Sequence, residues 1–161
     1  MTEDKQTQTI RDTLVRLLSR REHSIKELYF KLQLRGFTAS QVAPQLNRLT
    51  ELDLQSDRRF AESFVRQRIA KGQGEQRIRN ELRERDVSDE YIRLALLEAD
   101  TDWFELAKSV HDRKFGQADN ILKQKQKQQH QRYLQYRGFT AEQIRYACPC
   151  QYQAQRFGKS I

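Results

Sequence analysis

The side chains in this sequence best suited to chemistry are cations. Arg58, Arg59, Arg66, Arg68, Lys71, Arg77, Arg79 and Arg83 crowd one central stretch, with Arg20, Arg21, Lys26 and Arg35 before it and Lys123, Lys125, Lys127 and Arg132 after it. A guanidinium presents a planar fork of N–H donors that fits a phosphate or carboxylate, and an ammonium acts as a point charge. The chemistry on offer is therefore anion recognition. Thirty Lys and Arg against 22 Asp and Glu leave a net charge of +8, a balance that favours polyanions through counterion release, or an acidic protein face. The charges also alternate in sign, as in Arg11-Asp12 and Glu81 to Arg85, which equally describes a solvated helix surface laced with ion pairs. Arg59 and Arg66, seven apart, fall opposite Phe60, Phe64 and Val65, and this spacing predicts that both are exposed and free to meet an anion. Arg68 falls on the inner edge, where its stem runs along the core or its head pairs with an acid.

Other chemistry finds little support. Lys71-Gly72-Gln73-Gly74 superficially suggests an anion-binding loop, but no strand precedes it and it lacks the Gly-Lys-Ser/Thr ending of a nucleotide loop. Gly72 reads better as ending one helix and Gly74 as opening the next. His23, His111 and His130 have no metal-ligand spacing, and His23 is expected to stabilise a turn, with Glu22 as its neighbour. Cys148 and Cys150, one residue apart, suit neither an ordinary disulfide nor a zinc site and read as reduced thiols. With no nucleophile elbow, metalloprotease motif or paired-carboxylate site, no catalytic residue, metal or cofactor is predicted, and the chain reads as a binding protein and not an enzyme. The stretch Ile121 to Arg137 is basic, Gln-rich and free of acids, fit to lie against DNA phosphates or to form a plain solvated helix anchored by Ile121, Leu122, Tyr133 and Leu134. Trp103 is assigned mainly to the core.

The elements that must position these cations are helices. Apolar residues recur at helical spacing in Ile10, Leu14, Leu17, Leu18, in Ile25, Leu28, Tyr29, Leu32, in Val42, Leu46, Leu49, and in Phe60, Phe64, Val65, Ile69. No alternating strand pattern competes. Ser24…Glu27, Thr38…Gln41 and Thr140…Gln143 have the spacing of capping boxes. Gly36, Gly72, Gly116 and Gly138 fall just past periodic segments, where a left-handed residue closes the last turn. Pro44 lies inside the third predicted helix and should bend it unless the cap comes later than Thr38. A polar start, Met1 to Ile10, and the lack of any long apolar run point to a cytoplasmic chain without a membrane span. At 37% hydrophobic and 32% charged residues, the core is thin, which favours an elongated, modular shape.

A repeat organises the whole. Leu28, Leu32, Arg35-Gly36-Phe37-Thr38, Val42 and Leu46 return as Ile78, Leu82, Arg85-Asp86-Val87-Ser88, Ile92 and Leu96, and again in part as Leu134, Arg137-Gly138-Phe139-Thr140 and Ile144. Each turn ends a helix, buries Phe37, Val87 or Phe139, and caps the next helix with Thr38, Ser88 or Thr140. A third helix per repeat, around residues 8–20, 57–71 and 101–115, completes each unit. The expected fold is all-α, with an N-terminal helix and first three-helix module over 1–53, a second over 54–99, a third over 100–148 and a tail over 149–161.

At these residues the chain resembles the RecX family, bacterial regulators of the RecA recombinase. The resemblance rests on Arg21-Glu22-His23-Ser24 leading to Glu27-Leu28, on Arg35-Gly36-Phe37, and on Asp57-Arg58-Arg59-Phe60-Ala61 continuing to Arg66-Gln67-Arg68. It continues through Lys71-Gly72-Gln73-Gly74 with Arg77-Ile78 and Glu81-Leu82 to Arg137-Gly138-Phe139, roughly residues 10 to 147. The resemblance implies tandem three-helix repeats in an elongated, curved monomer that binds the RecA–DNA filament. It further implies limited filament growth, lowered recombinase, ATPase and co-protease activity, and single- and double-stranded DNA as weaker ligands. Two departures stand out: Asp86 replaces the glycine usual in the second turn, and the tail after Ile144 matches nothing recognisable. The competing readings are a helix-turn-helix-like DNA-binding module acting without RecA, and a helical adaptor for another acidic protein.

Overall fold

In the computed structural model, residues 2–116 and 124–148 are described. Among them lie nine α-helices and no strand: α1 (Glu3–Arg20), α2 (Ile25–Leu34), α3 (Ala39–Glu51), α4 (Asp57–Ala70), α5 (Glu75–Glu84), α6 (Asp89–Ala99), α7 (Trp103–Phe115), α8 (Gln124–Arg137) and α9 (Ala141–Ala147). None of these is long and apolar enough to cross a membrane.

The repeated turn is one local structure built three times. In the first, the Gly36 amide donates to the Gln33 carbonyl and the Phe37 amide to that of Leu32. Asp86 and Val87 repeat this on Arg83 and Leu82, as do Gly138 and Phe139 on Gln135 and Leu134. This pairing satisfies carbonyls that the end of a helix leaves open, and it needs a positive φ at its centre. Gly36 and Gly138 supply it freely, and Asp86 adopts φ 55°, which a short polar side chain tolerates. Asp53 closes α3 in the same way at φ 60°, a use of aspartate that the glycine pattern did not reveal. The residue after the turn is buried in the second and third repeats, at Val87 and Phe139, but only half-buried at Phe37.

Two of the three expected capping boxes form in full. Thr38 and Thr140 form full capping boxes with Gln41 and Gln143. Ser24 accepts from the Glu27 amide, but the Glu27 carboxylate turns to arginines instead of closing the box. With its cap no later than Thr38, α3 also continues through Pro44. Ser40, four residues before it, thereby loses an amide partner, yet both residues are exposed and water can satisfy that carbonyl.

Two compact units contain these helices, one comprising residues up to Val65 with Glu81–Glu98, the other Arg66–Asn80 with the described residues from Ala99 onward. In the first, Ile10, Leu14 and Leu17 of α1 close on Leu28 and Leu32 of α2 and on Val42, Leu46 and Leu49 of α3. Each such side chain contributes about 1.5–3 kcal/mol on full burial. In the second, Ala107 and Val110 of α7 pack with Leu134, Phe139, Ile144, Ala147 and Cys148. Trp103 is half-buried at the first position of α7 and stands outside that core.

Candidate interaction surface

Several of the arginines are spent on the fold. Arg59 is not free: its Nε donates to Glu22 at 3.1 Å, one terminal nitrogen to the Asp53 carboxylate at 2.8 Å, and the other to the Asp53 carbonyl at 2.7 Å. Opposite-face spacing gave its direction, but the turn after α3 and the end of α1 bring two acids to meet it. Arg21 and Arg85 share Glu27 at 2.9 and 3.2 Å, and the Arg85 guanidinium also lies 5.0 Å from the centre of the Phe64 ring. Lys26 donates to the Glu84 carbonyl at 2.9 Å and stands 3.7 Å from Asp86. Beneath them, buried Gln55 donates to the His23 carbonyl and to Asp57 and accepts from Thr50, while Asp57 also accepts from the Ile25 amide at 2.9 Å. Burial raises the Asp57 carboxyl above its ordinary range despite those donors. His23 is buried with its Nδ1 3.0 Å from the Arg21 carbonyl. Glu22, its expected neighbour, is engaged by Arg59 instead.

The glycine loop is structural as well. The amide of Gly74 donates to the Arg137 carbonyl at 2.7 Å and that of Gln76 to the Gly138 carbonyl at 3.2 Å. The Gly74 amide just before α5 and the Gln76 amide in its first turn, which could otherwise help cradle an anion, are thus taken by the turn between α8 and α9. A Cβ on Gly74 would collide with the Gly138 carbonyl, and one on Gly138 with the backbone of Arg77. Arg137 closes the joint by donating to the Lys71 carbonyl at 2.8 Å. In the same unit His111 and His130, 19 residues apart in sequence, meet at 3.0 Å between Nε2 and Nδ1, and Phe115 stacks on His130 at 3.7 Å. Burial, and then the neighbouring His111, hold the His130 imidazole below its ordinary range. Among the described residues no three His, Cys, Asp or Glu side chains gather as a metal site.

What remains is the available surface. Arg58, Arg79 and Arg83 pair with Glu62, Glu75 and Asp89, exposed or half-exposed contacts that cost little to open. Arg35 is exposed and, among the described residues, bonded only to the Lys31 carbonyl. Arg20, Arg66, Lys71, Lys125 and Arg132 are exposed and Lys127 half-buried, and none of the six side chains has an acid partner among the described residues. Lys125 and Arg132 share a face of α8 at seven-residue spacing, continued by Tyr136, which is 75% exposed with Arg77 stacked 5.1 Å from its centre. Lys123, Ile121, Leu122, Cys150 and the tail 149–161 lie outside the described residues. Arg68 is half-buried, as its inner-edge position predicts.

Residues 11–49, 56–96 and 100–148 match, in order, the first, second and third three-helix domains of RecX. The chain belongs to the RecX family. Proteins named Regulatory protein RecX share 44% identity over 137 residues in Vibrio vulnificus, covering 85% of this chain and 89% of that one. The relative from Halorhodospira halophila is 44% identical over 141 residues, covering 88% and 87%. That from Vibrio cholerae is 48% identical over 139, covering 86% and 91%. A crystal structure of regulatory protein RecX superimposes with a TM-score of 0.74 at 25% identity, over 86% of this chain and 70% of the other. RecX from Lactobacillus salivarius gives 0.70 at 20% identity, over 91% and 96%, a likeness of fold. Family membership therefore rests on all three repeats that the turn spacing outlines.

Proposed function

We propose that this chain is a negative regulator of RecA, a non-catalytic protein that binds the RecA–DNA filament and inhibits its extension, recombinase, ATPase and co-protease activities. The observation that carries this reading is its membership of the RecX family through three successive three-helix domains, matched across residues 11–148. A chain of modules over 1–53, 54–99 and 100–148 suits a repetitive target better than a small ligand does, because each module offers its own face to a successive site. The partner-facing charges are drawn from Arg20, Arg66, Lys71, Lys125, Lys127 and Arg132, which have no acid partner among the described residues. Exposed pairs at Arg58, Arg79 and Arg83 can exchange their acids for a partner's at small cost. The protein works as a monomer in the cytoplasm, with single- and double-stranded DNA as weaker ligands.

One observation favours a second reading. Helix α8 has no acidic residue and presents Lys125, Arg132 and Tyr136 on one exposed face, as a DNA-binding module acting without RecA would require. Titrating the protein into RecA hydrolysing ATP on single-stranded DNA separates the two. Filament regulation predicts lost ATPase at ratios well below one per recombinase subunit. Unchanged ATPase with tight, steeply salt-dependent binding to DNA alone would replace it with the DNA-binding reading.

A further inference from the structure

The repeat permits a comparison that no single helix offers. Counted from the shared Leu32, Leu82 and Leu134, the residues two before and two after are Phe30 and Leu34 in α2, Asn80 and Glu84 in α5, and Arg132 and Tyr136 in α8. All six are exposed. At about 100° per residue these positions point away from the core-facing side chains of their helices, so the core places no demand on what stands there. Two modules use polar or mixed pairs. The first instead holds Phe30 at 59% and Leu34 at 71% exposure, a large apolar pair in water that packing does not explain.

Its surroundings define what would cover it. On one flank stand Lys31 and the exposed Arg35, neither with an acid partner among the described residues. The acid of this helix, Glu27, is consumed by Arg21 and Arg85. On the other flank, Tyr29, Gln33 and Phe37 line a groove beside Gly36, where the missing side chain leaves open space. An apolar ridge, a shallow apolar groove and an unanswered cationic edge fit an amphipathic segment whose apolar stripe is bordered by carboxylates.

We infer that the outer face of α2, centred on Phe30 and Leu34, docks an acidic amphipathic segment of the recombinase. This rests on the filament reading above. Replacing the pair by the second module's own residues, Phe30→Asn with Leu34→Glu, keeps a chemistry that the fold already carries at that register. The experiment compares co-sedimentation of the altered and unaltered full-length proteins with RecA filaments on single-stranded DNA, alongside thermal melting and size by light scattering. Expected is about tenfold or greater weakening, with unchanged melting and a monomer in both. Lys31→Gln with Arg35→Gln, on the rim, should weaken binding by about threefold and flatten its salt dependence. Should filaments bind the unaltered protein and the Phe30→Asn/Leu34→Glu variant equally, the inference fails while the filament reading stands. A concentration-dependent dimer that this variant abolishes would assign the face to a second copy of the chain and overturn the inference too. If filaments do not retain the unaltered protein at all, the filament reading fails and takes this inference with it.

Discussion

Two equivalent joints in this protein are built from different materials. In the first unit the start of α2 meets the turn between α5 and α6, and in the second the start of α5 meets the turn between α8 and α9. Repeat register places Ser24 opposite Gly74 and Asp86 opposite Gly138. Where both positions are glycine, backbone touches backbone and two amides reach carbonyls directly. Where they are Ser24 and Asp86, side chains span the distance instead, through Lys26 to the Glu84 carbonyl and Arg85 to Glu27. One joint is thus fixed by steric fit, and the other by charges that salt and neighbouring solvent can weaken.

Exchanging the residues between the joints should expose the difference most sharply. Gly138→Asp imports the first joint's residue to a site with φ 100° against the Arg77 backbone, and should cost about 3 kcal/mol or more in denaturant unfolding. A loss below about 1 kcal/mol would show that the joint opens easily and is not steric. Asp57→Ala comes next, because it leaves the Ile25 amide and Gln55 without their acceptor, and should cost about 2 kcal/mol. Acid should act on the second unit through His130. Its imidazole is held below the ordinary range, so the unfolded chain binds the proton more tightly, and stability falls as pH drops below about 6.5. His130→Phe should retain a ring against Phe115 and flatten that part of the pH profile in thermal melts. His23, lowered first by burial and then by Arg21, adds a slope of the same sign in the first unit and should survive that substitution. Arg59→Ala, on a side chain 35% exposed, should cost only about 0.5–1 kcal/mol, with the difference shrinking in 1 M salt.

Local chemistry was readable in the sequence because its partners lie close along the chain. The threefold turn, the caps at Thr38 and Thr140 and the left-handed Asp86 are all settled within six residues, and the exposure of Arg66 followed from helical spacing. Long-range pairing was not readable. Glu22 and Arg59 stand 37 residues apart, and His111 and His130 19 apart, so nothing in local periodicity announces either contact. Arg59 shows the limit well: its face was predicted, but exposure to solvent became exposure to two acids once α1 and the turn after α3 were in place. Gly74 and Gly138 offer the converse lesson. Each reads alone as an ordinary helix boundary, and only their mutual approach gives them a second reason to lack a side chain.

Filament extension tests the central claim most directly. Growth of labelled RecA on single-stranded DNA would be followed in real time while this protein is added after nucleation, at well below one copy per recombinase subunit. Regulation of the filament predicts that extension stops or reverses at that ratio while the DNA remains largely unoccupied by this protein. Extension that continues unchanged until the DNA itself is coated would contradict it.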